Sequence, residues 1–157
     1  MTVAVWRIAV EAPTYAANDL SGTGAKITGG RWNSAGVPVL YCASSIALAT
    51  LETVHYLRSS GLPFNRYLVR FELPDATWRA RHALDPPPGG WDTIPAGMTS
   101  RVAGDTWLAS LASALLLVPS VIVPEEWNVL INPNHPDAAG VHASTLKRWH
   151  YDPRFFS

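Results

Sequence analysis

Cysteine is almost missing from this chain: Cys42 is the only one in 157 residues, which excludes an internal disulfide and any cysteine-rich metal site and fits a reducing compartment. Net charge is missing altogether. Lys plus Arg total 12 and Asp plus Glu total 12, so no field draws the chain to nucleic acid or to an anionic membrane, and direct binding to either is not expected. The basic residues are scattered; Arg79-Ala80-Arg81-His82 and Lys147-Arg148-Trp149-His150 are the small clusters, and both read as solvated surface. No unbroken apolar stretch reaches the roughly 20 residues of a spanning helix, because Pro119 interrupts the longest run, Trp107 to Val123. Arg7 likewise breaks the apolar run that starts at Val3, so no signal peptide is expected and the reading is cytoplasmic. The five histidines include no H-x-x-x-H pair, which leaves zinc without ligands, and no Walker-type or G-x-G-x-x-G loop is present. Internal repeats and low-complexity linkers are also lacking, which predicts one domain over residues 1–157.

What is present reads as a mixed α+β domain with a mostly antiparallel sheet of short strands and flanking helices. Trp6, Ile8 and Val10 alternate along one strand, and Leu68 to Leu73 alternate around Arg70 and Glu72 along another. Val37 to Cys42 and Val129 to Ile131 are short apolar runs of strand length. Ser44 or Ser45 caps a helix whose inward stripe is Leu48, Leu51, Val54 and His55. A second helix is predicted from a cap at Asp105, with Leu108, Leu111, Ala112 and Leu115 on one face, stopped by Pro119 ahead of a strand at Ser120-Val121-Ile122-Val123. The Pro/Gly-rich segment 85–97 and the turn Asn132-Pro133-Asn134-His135-Pro136 are connections.

Within that frame Gly29-Gly30-Arg31-Trp32-Asn33 is the stretch around which the chemistry gathers. Two glycines let the backbone approach a ligand closely, and Arg31 offers a planar fork of donors that matches phosphate or carboxylate oxygens in pairs. Alone, a Gly-Gly pair signals a turn, and Arg31 would then be solvated or paired inside the fold. Glu52 stands at helical offsets from Leu48, Ala49, His55 and Tyr56, so its neighbours are apolar or aromatic rather than basic. It is either an exposed carboxylate or one set in a pocket. Tyr41 brings a ring and a hydroxyl to the same end of the fold.

These positions, in order, resemble the RES-domain toxins, named for an arginine, a glutamate and a serine and found in bacterial toxin–antitoxin pairs. The resemblance runs through Trp6-Arg7, Gly30-Arg31-Trp32-Asn33, Pro38 to Ser45, Leu51-Glu52, Val118-Pro119-Ser120, Asn128 to Pro133 with His135-Pro136, and Asp152 to Phe156. Matched to that motif, Arg31, Glu52 and Ser120 are the three name residues and Tyr41 is the family's tyrosine. The resemblance implies a fold similar to the diphtheria-toxin-like ADP-ribosyltransferases and an enzyme that breaks the nicotinamide–ribose bond of NAD. Water, phosphate or a protein would accept the ADP-ribose, and NAD enters as substrate, with no cofactor or metal beside it. It also implies a neighbouring Xre-like helix-turn-helix antitoxin that covers the active site, in a complex with room for a toxin homodimer.

The residue types suit that chemistry. Nicotinamide leaves neutral from a cationic ring, so the reaction needs no acid for the leaving group and asks instead for negative charge beside an oxocarbenium-like ribose, a part that fits Glu52. Arg31 would grip the pyrophosphate, Tyr41 would stack on the cationic ring, Trp32 and Asn33 would line the pocket, and Ser120 would shape it or hold Glu52 by a hydrogen bond. No nucleophile-elbow sequence surrounds Ser120, so it is not cast as a nucleophile. A ribonuclease using Arg31, Glu52 and His55 is the competing enzyme reading, disfavoured by the balanced charge, and a non-catalytic binding module is the third.

Overall fold

The computed structural model describes residues 1–54, 57 and 63–156; His55 and Tyr56 of the predicted helix therefore lie outside the described residues. Nine residues of β1 (Thr2–Val10) pair antiparallel with nine of β3 (Arg66–Pro74), from Thr2 opposite Pro74 to Val10 opposite Arg66. This long ladder carries the alternating runs that the sequence marks as strands. Around it the sheet is completed by β2 (Leu40–Ala43), β4 (His82–Ala83), β5 (Leu115–Pro119), β6 (Trp127–Ile131) and β7 (His142–Arg148), in the spatial order β4-β5-β6-β2-β1-β3-β7. Every neighbouring pair is antiparallel except β4 with β5, so the fold is α+β with a mostly antiparallel sheet, as expected.

The helices are α1 (Thr23–Thr28), α2 (Ile46–Val54), α3 (Asp75–Arg79) and α4 (Met98–Ser110). Helix α2 begins where its cap predicts: Ser45 Oγ accepts a hydrogen bond from Leu48 N at 3.1 Å. Helix α4 does not. It starts seven positions before Asp105 and ends at Ser110, Leu111 turns left-handed at φ 55°, and Leu115 belongs to a strand. The apolar run misleads because Leu115–Pro119 is buried on both faces as an interior strand, and such a strand has no period-two pattern to separate it from a helix. The strand predicted at Ser120 to Val123 is accordingly a turn, in which Ile122 is exposed.

Residues directly opposite in an antiparallel pair project to the same face, which sorts the core. On one face lie Val5, Cys42, Val69, Phe71, Leu115, Leu117, Val129 and Ile131. The other face carries two clusters. Ile8, Ala43 and Leu68 pack under Leu48 and Ala49 of α2, while Leu116, Val118 and Leu130 pack under Trp107 and Leu108 of α4 together with Trp32. The clusters meet along β2, where Tyr41 faces α4 and Ala43 faces α2. Among the described residues no helix is long and apolar enough to cross a membrane.

Candidate active site

The loop after α1 is built outward from a buried amide. Asn33 is fully buried, and its Nδ2 donates to Ala25 O and Val37 O at 2.9 Å each and to Ser34 O at 3.3 Å. Its Oδ1 accepts from the Tyr41 hydroxyl at 2.6 Å, and that hydroxyl in turn accepts from Trp32 N at 3.0 Å. Position 30 must be glycine for this arrangement, since a Cβ there would stand 2.8 Å from the Tyr41 hydroxyl. Helix α4 supports the loop from beneath. Ser100 Oγ donates to Arg31 O at 2.8 Å, Asp105 accepts from Ser34 N at 2.9 Å and Ser34 Oγ at 2.5 Å, and Gly104 lies directly under the Trp32 carbonyl. Asp105 is thus not a helix cap but the anchor of the Arg31 loop.

Two side chains of the loop are taken up by the fold in consequence. Trp32 and Asn33, predicted to line a substrate pocket, face inward: Trp32 is 3% exposed and stacks on Trp91, with ring centroids 6.2 Å apart and planes 21° apart. Their polar and aromatic surfaces are spent on holding the loop, leaving Arg31 as the side chain the loop presents. Arg31 is half-buried, and its Nη1 donates to the carbonyls of Trp91 and Thr93 at 2.9 Å each.

Glu52 projects from α2 and meets Ser120, which sits at the end of β5 rather than after a helix. Ser120 is fully buried, and its Oγ accepts from Ile122 N and Val123 N at 3.1 Å each. With both lone pairs engaged, the hydroxyl hydrogen is left for one acceptor, Glu52 Oε1 at 2.5 Å. The serine therefore acts as a fixed donor that orients the carboxylate.

Strand register places these pieces on one side of the sheet. Tyr41 is opposite Leu130, which is opposite Leu116; Ala43 is opposite Asn128, which is opposite Val118. Ser120 follows Val118 by two and shares its face. Tyr41 and Ser120 thus share the face of the sheet that is covered by α2, which carries Glu52, and by α4, which supports the Arg31 loop. Cys42 points to the opposite face, where burial pushes its thiol up to about 12 and Arg7 acts in the other direction. A cavity of about 360 Å³ bordered by Leu20, Leu40, Ile131, His135 and Val141 also lies toward that opposite face and includes none of the candidate residues. The sequence reading missed the carbonyls of Trp91 and Thr93. The available signal was a tryptophan directly after Gly89-Gly90, because a large ring in a turn needs a surface to cover it.

A family model described as the RES domain matches residues 4–153. The "Prs ADP-ribosylating toxin" of Sphingobium sp. (strain YBL2) is 58% identical over 156 residues, covering 98% of this chain and 97% of its own length. "Toxin Res" of Yersinia enterocolitica is 40% identical over 121 residues, covering 77% and 79% of the two chains. "Toxin Res" of Pseudomonas putida is 40% identical over 137 residues, covering 85% and 87%. A chain solved in the M. tuberculosis MbcT-MbcA toxin-antitoxin complex superposes with a TM-score of 0.59 over 94% of this chain and 85% of its own, at 15% identity, a likeness of fold. With a matched model over nearly its whole length and relatives well above 30% identity, this chain belongs to the RES-domain family.

Proposed function

We propose that this chain is the toxin of a type II toxin–antitoxin pair and that it breaks the bond between nicotinamide and ribose in NAD. The observation that carries the reading is Glu52, a carboxylate oriented by a buried serine whose own bonds leave it a single direction in which to donate. A carboxylate fixed before the substrate arrives can stabilise positive charge as it develops on the ribose without reorganising, which is where electrostatic catalysis is most effective. Arg31 holds the pyrophosphate, and the Tyr41 ring, on the same face, meets the nicotinamide. Its hydroxyl is bound into the Arg31 loop and takes no part in proton transfer.

Nicotinamide leaves with the bonding electrons, and the ribose carbon is then taken by an acceptor that gives up a proton. Hydrolysis and phosphorolysis of NAD are one outcome. Transfer to a protein is the outcome favoured by the relative that is 58% identical and named for ADP-ribosylating Prs, which makes Prs the first acceptor to try. The partner is a helix-turn-helix antitoxin of the Xre type that covers Arg31 and Glu52 and brings the DNA-binding surface this neutral chain lacks.

The test follows nicotinamide and ADP-ribose by mass spectrometry with purified protein and NAD, with phosphate and with Prs added in turn. Glu52→Gln keeps an oxygen to accept from Ser120 but loses the charge, so nicotinamide release should fall about 10²–10³-fold, corresponding to roughly 2.7–4 kcal/mol, with the thermal melt nearly unchanged. A variant that melts normally and turns over at the wild-type rate removes Glu52 from the chemistry.

A further inference from the structure

The Pro/Gly-rich segment 85–97 bears directly on Arg31. Of the guanidinium's N–H donors, Nη1 carries two, and each has its own acceptor at 2.9 Å, the carbonyls of Trp91 and Thr93. Nη1 is therefore saturated by the protein. Nε and Nη2 make no hydrogen bond among the described residues, and they form the side edge of the guanidinium plane, two parallel donors spaced to meet two oxygens of one anion. The carbonyls are held in turn by the Trp91 ring, stacked on Trp32, whose backbone N–H is fastened to Tyr41.

We infer that residues 91–93 form a strap that turns Arg31 to present Nε and Nη2 side-on to its anion, and that Trp91 is a positioning residue for the reaction proposed above. The inference rests on the reading of Arg31 as the anion-binding group. A free arginine can approach an oxygen pair end-on through Nη1 and Nη2 or side-on through Nε and Nη2; with Nη1 filled, one approach remains. Side-chain freedom that would otherwise be lost on binding has already been removed by the fold. Lysine is a poor substitute, because with two of its three N–H bonds on the carbonyls the ammonium keeps one for the anion and cannot make the paired contact.

The experiment compares wild type, Trp91→Ala and Trp91→Phe, with Arg31→Lys to assign the signals of Arg31. In nitrogen-detected NMR of the guanidinium groups, a pinned Nη1 slows rotation, so Arg31 should show separate Nη1 and Nη2 resonances in wild type and Trp91→Phe, merging in Trp91→Ala. In steady-state NAD turnover, Trp91→Ala should raise KM at least tenfold while kcat changes less than threefold, and Trp91→Phe should restore most of the loss. Merged resonances already in wild type, or a Trp91→Ala variant with wild-type KM, overturn the strap. Should Trp91→Ala not fold, Trp91→Leu carries the same comparison, since it keeps apolar volume against Trp32 but offers no ring to stack. A wild-type protein that releases no nicotinamide overturns the proposed reaction, and the NMR comparison still decides whether the strap holds Arg31.

Discussion

Ser120 shows how much one hydroxyl can fix. Ser120→Ala leaves the N–H groups of Ile122 and Val123 without their buried acceptor and frees Glu52 to sample other rotamers. The expected stability loss is about 1–3 kcal/mol, read as a lower melting temperature, and nicotinamide release should fall less than in Glu52→Gln because the charge is still present. Cys42 offers a test of burial by pH. Its thiol is raised from 9.0 to about 12, so above about 9 the unfolded chain has lost a proton that the folded chain keeps. Unfolding then releases a proton, and stability from this group is full below about 9 and declines toward about 12, by up to about 1.4 kcal/mol per pH unit. The difference in unfolding free energy between wild type and Cys42→Ala should accordingly shift against wild type as pH rises from about 8 to about 10.5. At this scale the sequence made Arg31, Tyr41, Glu52 and Ser120 legible through the order of their motifs. It did not reveal the burial of Trp32 and Asn33, because that is decided by α4 and Trp91, roughly 60 to 70 positions downstream, and no local pattern carries that information.

Helix α4 is the element on which the Arg31 loop rests, and one position shows how closely they approach. A Cβ at residue 104 would fall 1.7 Å from the Trp32 carbonyl oxygen, which backbone cannot accommodate without separating helix from loop. Gly104→Ala should lower stability by about 1–3 kcal/mol despite alanine's better helix propensity, and should weaken NAD binding through the displaced Arg31. Gly89, with open space around its would-be Cβ, is the control: Gly89→Ala should leave the thermal melt unchanged or slightly raised, since it only restricts the unfolded chain. The start of α2 was legible from Ser45, a local cap. The bounds of α4 were not, because its N-terminus has no side-chain cap and its end is set by Ser110, whose Oγ donates to Trp107 O and accepts from Ala112 N.

Over the whole molecule, the strands that declare themselves are those long enough for apolar and polar positions to alternate visibly, β1 and β3. The edge strands were invisible: β7 is exposed along nearly all its length, with a register shift between Leu68 and Val69 on its partner, and β4 is two residues long. Topology adds a consequence in time. Strand β5, which runs directly into Ser120, reaches the half of the sheet bearing Glu52 only through β6, inserted between β5 and β2. On the ribosome, which adds about 5–20 residues per second, the chain has made Arg31, Tyr41, Glu52 and Ser120 before it has made the strand that joins them. A chain ending at Glu126 should release no nicotinamide although it contains every candidate residue, whereas the chain carrying β6 and β7 should; the comparison is nicotinamide release from the two purified polypeptides. On that outcome the proposed toxin would stay inactive until β6 has been made, an interval in which a cognate inhibitor has time to be present when the first complete copy folds.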